Sequence, residues 1–182
     1  MFLSTLQTVG ILVGIIYYIT IMRNQQRTRE LSLRAQELTL KAQEQASETR
    51  QAQLFMNIYN QSFTSRQFLD ALQRVINLQW KDFDEYLALF DYTNPETREN
   101  RLAMMTLTGF FEGVGVLVKE GLLDIRMVAL LMTGPVKSYW EKIVPIVEKY
   151  RERDNYPRMV SETEYLYNEL MKYISENPEF KV

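Results

Sequence analysis

The segment Val9–Arg27, VGILVGIIYYITIMRNQQR, places a run of apolar side chains directly before two arginines. The 21 residues Phe2–Met22 contain no charged side chain. A helix of this length spans about 30 Å, the thickness of the hydrocarbon core of a bilayer. No Lys or Arg precedes the run and no small-residue cleavage site follows it, so the pattern is not that of a cleaved signal peptide. Residues 1–22 are therefore predicted to form a transmembrane anchor.

Three arginines, Arg23, Arg27 and Arg29, follow the apolar run. Positively charged residues are enriched on the cytoplasmic side of membrane helices. They predict that the C-terminal part of the chain is cytoplasmic and that the N-terminus lies outside the cell membrane. The same charges lie where anionic lipid head groups are found, so the bilayer is the first partner that the sequence predicts.

Gly10 and Gly14 lie four residues apart inside the predicted anchor. Two glycines one turn apart remove side-chain bulk from one face of a helix, so that a second membrane helix can pack closely against it. Glycine is also common in membrane helices in general. The spacing is therefore compatible both with a helix–helix interface and with an incidental pair.

A seven-residue pattern is written twice after the anchor, as ELSLRAQ at residues 30–36 and as ELTLKAQ at residues 37–43. Seven residues is the period of a coiled-coil seam. Two repeats are fewer than the three or four that define a coiled coil, so a solvated helix stabilised by local ion pairs is the alternative. The seam of the predicted coiled coil consists of Leu31, Ala35, Leu38 and Ala42.

Leu33 and Leu40 lie off this seam, where a two-stranded coil does not place leucine. They favour a contact with another subunit, with a third helix or with the rest of the chain. No Gly or Pro occurs from Ile15 to Asn94, so residues 23–60 are predicted to continue the anchor helix as a polar stalk.

Residues 61–182 are predicted to form a compact cytoplasmic domain of several helices, without strands. Helix starts are marked by capping residues or by proline, and helix ends by glycine. The complete fold class is therefore all-α, with an anchor, a stalk and a helical domain. Starts are predicted at Thr64, Asp82, Asn94, Asp124, Pro135 and Pro157, ends at Gly121 and Gly134, and a kink at Pro145.

The run Leu102–Val118 has a single charged residue, Glu112, near its middle. A carboxylate at the centre of a bilayer is costly, so this run is predicted to be a central core helix and not a second span. Gly109, Gly113 and Gly115 predict close helix packing on it. Glu112 is the polar core candidate, and its alternatives are a structural hydrogen bond or ion pair and an acid–base or ligand-binding role.

The chain has no Cys and no His, which excludes disulfides, Cys or His metal sites and His-based catalytic triads. Residues 61–182 carry a net charge of −4, while residues 23–60 carry +2. Binding to nucleic acid requires a basic face that neutralises phosphates, so no nucleic-acid partner is predicted. No cofactor, metal site or catalytic residue is predicted either.

Two segments of the predicted domain, FFEGVGVLVKEGLLD at Phe110–Asp124 and YWEK at Tyr139–Lys142, follow the anchor and stalk. Through these two segments, the anchor and the stalk, the chain resembles a family of short microbial proteins known only as a domain of unknown function. The resemblance covers about residues 1–150. The resemblance implies a membrane-tethered helical module. It implies no reaction, substrate or catalytic residue.

The function predicted from these features is that of a non-enzymatic, membrane-anchored interaction or scaffold module, which self-associates through its anchor and stalk. The first alternative is an accessory subunit of a larger membrane complex, because Leu33 and Leu40 lack a partner on the seam. The second alternative is an enzyme or ligand sensor that uses Glu112. The catalytic side chains left in this sequence are few, which makes the enzyme the weakest of the three.

Overall fold

The computed structural model describes the backbone of residues 2–180 and the side chains of residues 10–180, and all regular structure in that range is helical. The predicted all-α class is confirmed. Two short 3₁₀ helices, Pro95–Thr97 and Pro178–Phe180, accompany six α-helices. These are α1 (Phe2–Ser62), α2 (Arg66–Asn77), α3 (Phe83–Leu89), α4 (Arg98–Lys119), α5 (Ile125–Asp154) and α6 (Ser161–Glu176).

The chain forms two compact units, Met1–Thr49 and Arg50–Val182. The first unit consists of helix α1 alone, and its described side chains are exposed apart from that of Ile21. The second unit contains the last turns of α1 and all later helices. A hydrophobic core is therefore a property of the second unit.

Helix α4 is the centre of the second unit, because it packs against α2 on one side and against α6 on another. Phe111 of α4 is fully buried and stacks on Tyr139 of α5, with 4.8 Å between the ring centroids. The ring of Phe68 in α2 contacts the ring of Phe111, with 6.0 Å between their centroids. These aromatic contacts join three helices around one core. The buried residues of α4 are Ala103, Leu107, Phe111, Val114 and Gly115.

Several local start and stop signals are confirmed. Asn94 accepts a hydrogen bond from the amide of Glu96 at 2.9 Å, and Asp124 accepts one from the amide of Arg126 at 2.8 Å. Gly121 follows the end of α4 and has a φ of +67°. This is the left-handed region, which glycine adopts without strain and which commonly ends a helix. The cap of α2 is Ser65 and not the predicted Thr64, whose hydroxyl donates to the carbonyl of Asn60.

The sequence predicts that one helix ends at Gly134 and that the next begins at Pro135, but α5 does not break there. It runs through Gly134, Pro135 and Pro145 as one helix of 30 residues. A proline inside a helix costs about 3 kcal/mol, because it removes a hydrogen bond and crowds the preceding turn. Burial of a large apolar side chain stabilises by about 1.5–3 kcal/mol, and α5 buries Met132 and Val136 beside Pro135. Packing on both sides of the proline therefore outweighs the local cost.

The last long helix begins later than predicted. Pro157 lies in a turn, and α6 starts at Ser161. Val160, the residue before α6, adopts the left-handed conformation with φ 56° and provides no side-chain cap. A β-branched residue in this conformation is strained. The strain and the missing cap explain why the residue before α6 gives no capping signal in the sequence.

The close helix approach predicted for the glycines of α4 is made by Gly115 alone. A Cβ atom placed on Gly115 would clash with the backbone carbonyl oxygen of Glu162 in α6. The same atom on Gly109 or Gly113 would meet nothing within 4 Å. The prediction is therefore correct for Gly115, while Gly109 and Gly113 face open space.

In the part of the chain that the structure describes, one helical stretch is long and apolar enough to cross a membrane, Pro95–Lys119. The buried face of α4 belongs to this stretch, and it packs against α2 and α6 as a core helix does. The predicted anchor lies partly outside the described side chains, which begin at Gly10.

Candidate functional site

The predicted interface residues of α1 are exposed in the first unit. Leu31 and Leu38 of the seam are 58% and 68% exposed, and the off-seam Leu33 and Leu40 are 65% and 60% exposed. All four leucines are therefore large apolar side chains that the described residues of this chain leave exposed. Ala35 and Ala42 of the seam, together with Gly10 and Gly14, are exposed as well.

Local ion pairing, which the sequence gives as the alternative to a coiled coil, is seen between Glu37 and Lys41. Lys41 donates to Glu37 at 2.7 Å, with both side chains about two-thirds exposed. Such an exposed pair one turn apart stabilises a helix by about 0.3–0.5 kcal/mol. It helps to keep the stalk helical and does not cover the leucines beside it.

The apolar part of α1 presents bulky side chains on every side. Those from Ile11 to Ile19 include two adjacent tyrosines, Tyr17 and Tyr18, which are 68% and 65% exposed. A helix that is apolar all round is covered by protein or by lipid. The large exposed apolar side chains in this segment are Ile11, Leu12, Val13, Ile15, Ile16, Tyr17, Tyr18, Ile19 and Met22.

Glu112, the predicted polar core candidate, binds the start of α6. Its Oε1 atom accepts hydrogen bonds from the backbone amide of Thr163 at 2.6 Å and from the hydroxyl of Thr163 at 2.8 Å. Thr163 lies in the first turn of α6 and is fully buried. The first amides of a helix lack partners within that helix, and a carboxylate near them is stabilised by the helix dipole. Glu112 therefore supplies the cap that Val160 cannot.

Two ion pairs surround the same helix start. Lys119 donates to Glu162 at 2.9 Å, and Arg151 donates to Glu164 at 2.7 Å and to the carbonyl of Met159 at 2.8 Å. The hydrogen bond from Lys119 holds the pKa of the Glu162 carboxyl below its ordinary value. Helices α4 and α5 therefore both fix the start of α6 through charged groups.

Sequence reasoning missed Thr163 as the partner of Glu112, because 51 residues separate the two. The only local signal was the acidic first turn of α6, with Glu162 and Glu164, which marks a helix start. Within residues 10–180, no three acidic side chains come together in a group that would hold a metal ion.

The described architecture can be set beside known families. Residues 4–170 match the family model described as "Domain of unknown function (DUF4760)". The chain belongs to this family. The resemblance predicted from Phe110–Asp124 and Tyr139–Lys142 is confirmed, and the DUF4760 match extends beyond it to include most of α6. Membership in DUF4760 attaches no reaction, ligand or partner to Glu112 or to the leucines of α1.

Comparison of this DUF4760 member with curated proteins and with solved structures finds no match.

Proposed function

We propose that the protein is a non-enzymatic interaction module, anchored in the cell membrane by residues 1–22, with its helical unit on the cytoplasmic side. The observation that carries the proposal is the set of nine large exposed apolar side chains between Ile11 and Met22, followed at once by Arg23. Transfer of a bulky apolar side chain out of water is favourable by about 1.5–3 kcal/mol. Nine such side chains exposed on one helix are accounted for if lipid covers them.

The absence of cysteine makes the proposed orientation directly testable. Single cysteines are introduced at Ser4, near the outer end of the proposed span, and at Ser47, beyond its inner end, and intact cells are treated with a membrane-impermeant maleimide. Ser4→Cys is expected to react in intact cells, and Ser47→Cys only after permeabilisation. The cysteine-free parent is the control for background. Equal labelling of both variants in intact cells, or extraction of the chain from membranes by alkaline carbonate, would contradict the anchor.

We further propose that the module self-associates through Gly10 and Gly14 in the membrane and through the seam of Leu31, Ala35, Leu38 and Ala42 outside it. Two weak interfaces on one helix strengthen each other, because the first raises the local concentration for the second. The support is that the seam leucines and both glycines have no covering group in the described residues.

The test of self-association is the mass of the full chain in a mild detergent, measured by light scattering. Gly14→Ile combined with Leu38→Asp is expected to convert the oligomer to the monomer, because it removes close packing in one interface and places a charge in the other. Leu33→Asp is the matched control, since it places the same charge five residues earlier, off the seam. The proposal of self-association would be contradicted by a monomeric wild type, or by an oligomer that persists in the double variant as well as in the control.

The alternative of an accessory subunit has its own supporting observation. Leu33 and Leu40 are as exposed as the seam leucines, and self-pairing through the seam does not cover them. Under this alternative, a second protein co-purifies from native membranes in fixed proportion, and Leu33→Asp releases it while Leu38→Asp does not. An enzyme or sensor based on Glu112 is the weaker candidate, because Oε1 of its carboxylate is already engaged by Thr163.

A further inference from the structure

The second unit contains a cleft between α3, α4, α5 and the turn before α6. Its volume is about 340 Å³, within the range of small-molecule sites, about 300–1,000 Å³. None of its lining residues belongs to the predicted interface of α1. The lining consists of Tyr86, Tyr92, Met104, Met105, Thr108, Gly109, Ile143, Ile146, Val147, Tyr150, Met159 and Val160.

The lining determines what kind of molecule fits. It contains no charged side chain, so a charged group would lose its hydration there without gaining a counter-charge. Three tyrosine rings offer flat apolar faces, and three methionines adapt to irregular shapes and contact aromatic rings favourably. The chemistry therefore favours an uncharged occupant that is mostly apolar and aromatic.

Tyr86 adds one polar requirement. Its side chain is 7% exposed, and burial raises the pKa of its hydroxyl above the usual value for tyrosine. This hydroxyl makes no hydrogen bond with another group in the described residues, although a buried tyrosine hydroxyl usually has a partner. No sealed side-chain polar atom in that range lacks a partner, so this hydroxyl is not sealed off, and Tyr86 is one of the residues that line the cleft. It is available to donate to an acceptor within the cleft.

The backbone at one wall of the cleft is strained. Val160 has a φ of 56°, a conformation that β-branched residues rarely adopt, and its side chain lines the cleft. Strained residues persist where the surrounding structure holds them, and they cluster at ligand-binding sites. Here Arg151 holds the adjacent carbonyl of Met159 through two hydrogen bonds, at 3.0 and 2.8 Å.

We propose that this cleft is a binding site for a small, uncharged aromatic molecule that carries one hydrogen-bond acceptor, such as a ketone oxygen, which Tyr86 binds through its hydroxyl. The rings of Tyr92 and Tyr150 and the methionines of α4 contact the apolar body of the ligand. The site is independent of the anchor and of self-association, because every lining residue belongs to the second unit.

Gly109 provides a variant that blocks the cleft without disturbing the fold. It lines the cleft, and a Cβ atom added to it meets nothing within 4 Å, so a leucine introduced there is expected to extend into ligand volume. Gly113, one turn further along α4, is equally open and does not line the cleft, which makes Gly113→Leu the matched control. Both changes replace a helix-interior glycine by a better helix former.

The probe is benzophenone, an uncharged aromatic ketone that forms covalent adducts on irradiation. The full chain in lipid nanodiscs is titrated with benzophenone, irradiated and digested, and the adducts are quantified peptide by peptide. Saturable labelling is expected at Met104, Met105 or Met159. Gly109→Leu is expected to lower it at least tenfold, and Gly113→Leu to leave it unchanged. Tyr86→Phe, which removes one hydrogen bond, is expected to raise the half-saturation concentration about fivefold.

Three results would overturn the proposal. They are labelling of the cleft peptides that does not saturate, equal labelling of Gly109→Leu and wild type, and a half-saturation concentration that Tyr86→Phe leaves unchanged. Circular dichroism of each variant establishes that the helices are intact.

Discussion

Gly115 is the residue whose size is fixed most strictly by its neighbours. It is buried in α4, and the backbone of Glu162 in α6 lies against the position that a Cβ atom would take. Two helices can approach so closely only where one of them has no side chain. A backbone carbonyl cannot move aside as the end of a flexible side chain can, so any larger residue must displace α6.

Gly115→Ala is therefore expected to destabilise the second unit by about 1–3 kcal/mol, the usual cost of overpacking. Gly113→Ala has open space, and it is expected to stabilise by about 0.5–1 kcal/mol, because alanine favours the helix interior. Urea titrations of the full chain in mild detergent, followed by the fluorescence of Trp80 and Trp140, measure both. A stability of Gly115→Ala equal to that of Gly113→Ala would contradict the close packing of α4 on α6.

At the scale of elements, α6 depends on α4 for its first turn. Most helices obtain a cap from the residue just before them, as α2 does from Ser65 and α5 from Asp124. The residue before α6 is Val160, whose side chain has no oxygen that could accept a hydrogen bond. The carboxylate of Glu112 takes this role from another helix, so the start of α6 and its packing on α4 form together.

Glu112→Ala is expected to destabilise the second unit by about 1–3 kcal/mol, because the buried amide and hydroxyl of Thr163 lose their acceptor. Glu112→Gln keeps an acceptor oxygen, and it is expected to lose about 0.3–1 kcal/mol, the contribution of a negative charge at a helix start. The same urea titration measures both variants. A stable Glu112→Ala protein with the wild-type unfolding midpoint would exclude the capping role.

At the scale of the whole molecule, stability should depend on pH through the charges around α6. The pKa of Glu162 is lowered mainly by the hydrogen bond from Lys119. A carboxyl whose pKa is lower in the folded than in the unfolded state stabilises the fold above its unfolded pKa, and this contribution disappears as the pH falls through the folded pKa. We therefore expect the urea midpoint to fall as the pH is lowered from 7 to below about 4.

Lys119→Met is the control for this effect, because it removes the hydrogen-bond donor and retains a long side chain. The variant is expected to have a lower midpoint at pH 7 and a smaller further loss on acidification than the wild type. Other acidic groups also contribute to acid unfolding, so the difference between the two proteins is the quantity that tests the pair. Parallel pH profiles would contradict a role for Lys119 and Glu162.

The sequence by itself determined the helical class and several helix ends. The signals at Asn94, Asp124 and Gly121 act over two to four residues, and they are therefore visible without knowledge of the fold. The exposed leucines of α1 were likewise visible in a seven-residue pattern that is repeated with two conservative changes. Local periodicity is sufficient for features that depend on neighbours along the chain.

Only the tertiary structure decided which glycine of α4 is required, what Glu112 binds, and how α5 continues through two prolines. Each depends on a contact between residues far apart in sequence, such as the 51 residues between Glu112 and Thr163. The cleft beside Tyr86 exists for the same reason, because three helices and one turn contribute to its walls. Packing energies of several kcal/mol from such contacts outweigh local preferences of about 1 kcal/mol for most residues and about 3 kcal/mol for proline, so the fold overrides the local signals where the two disagree.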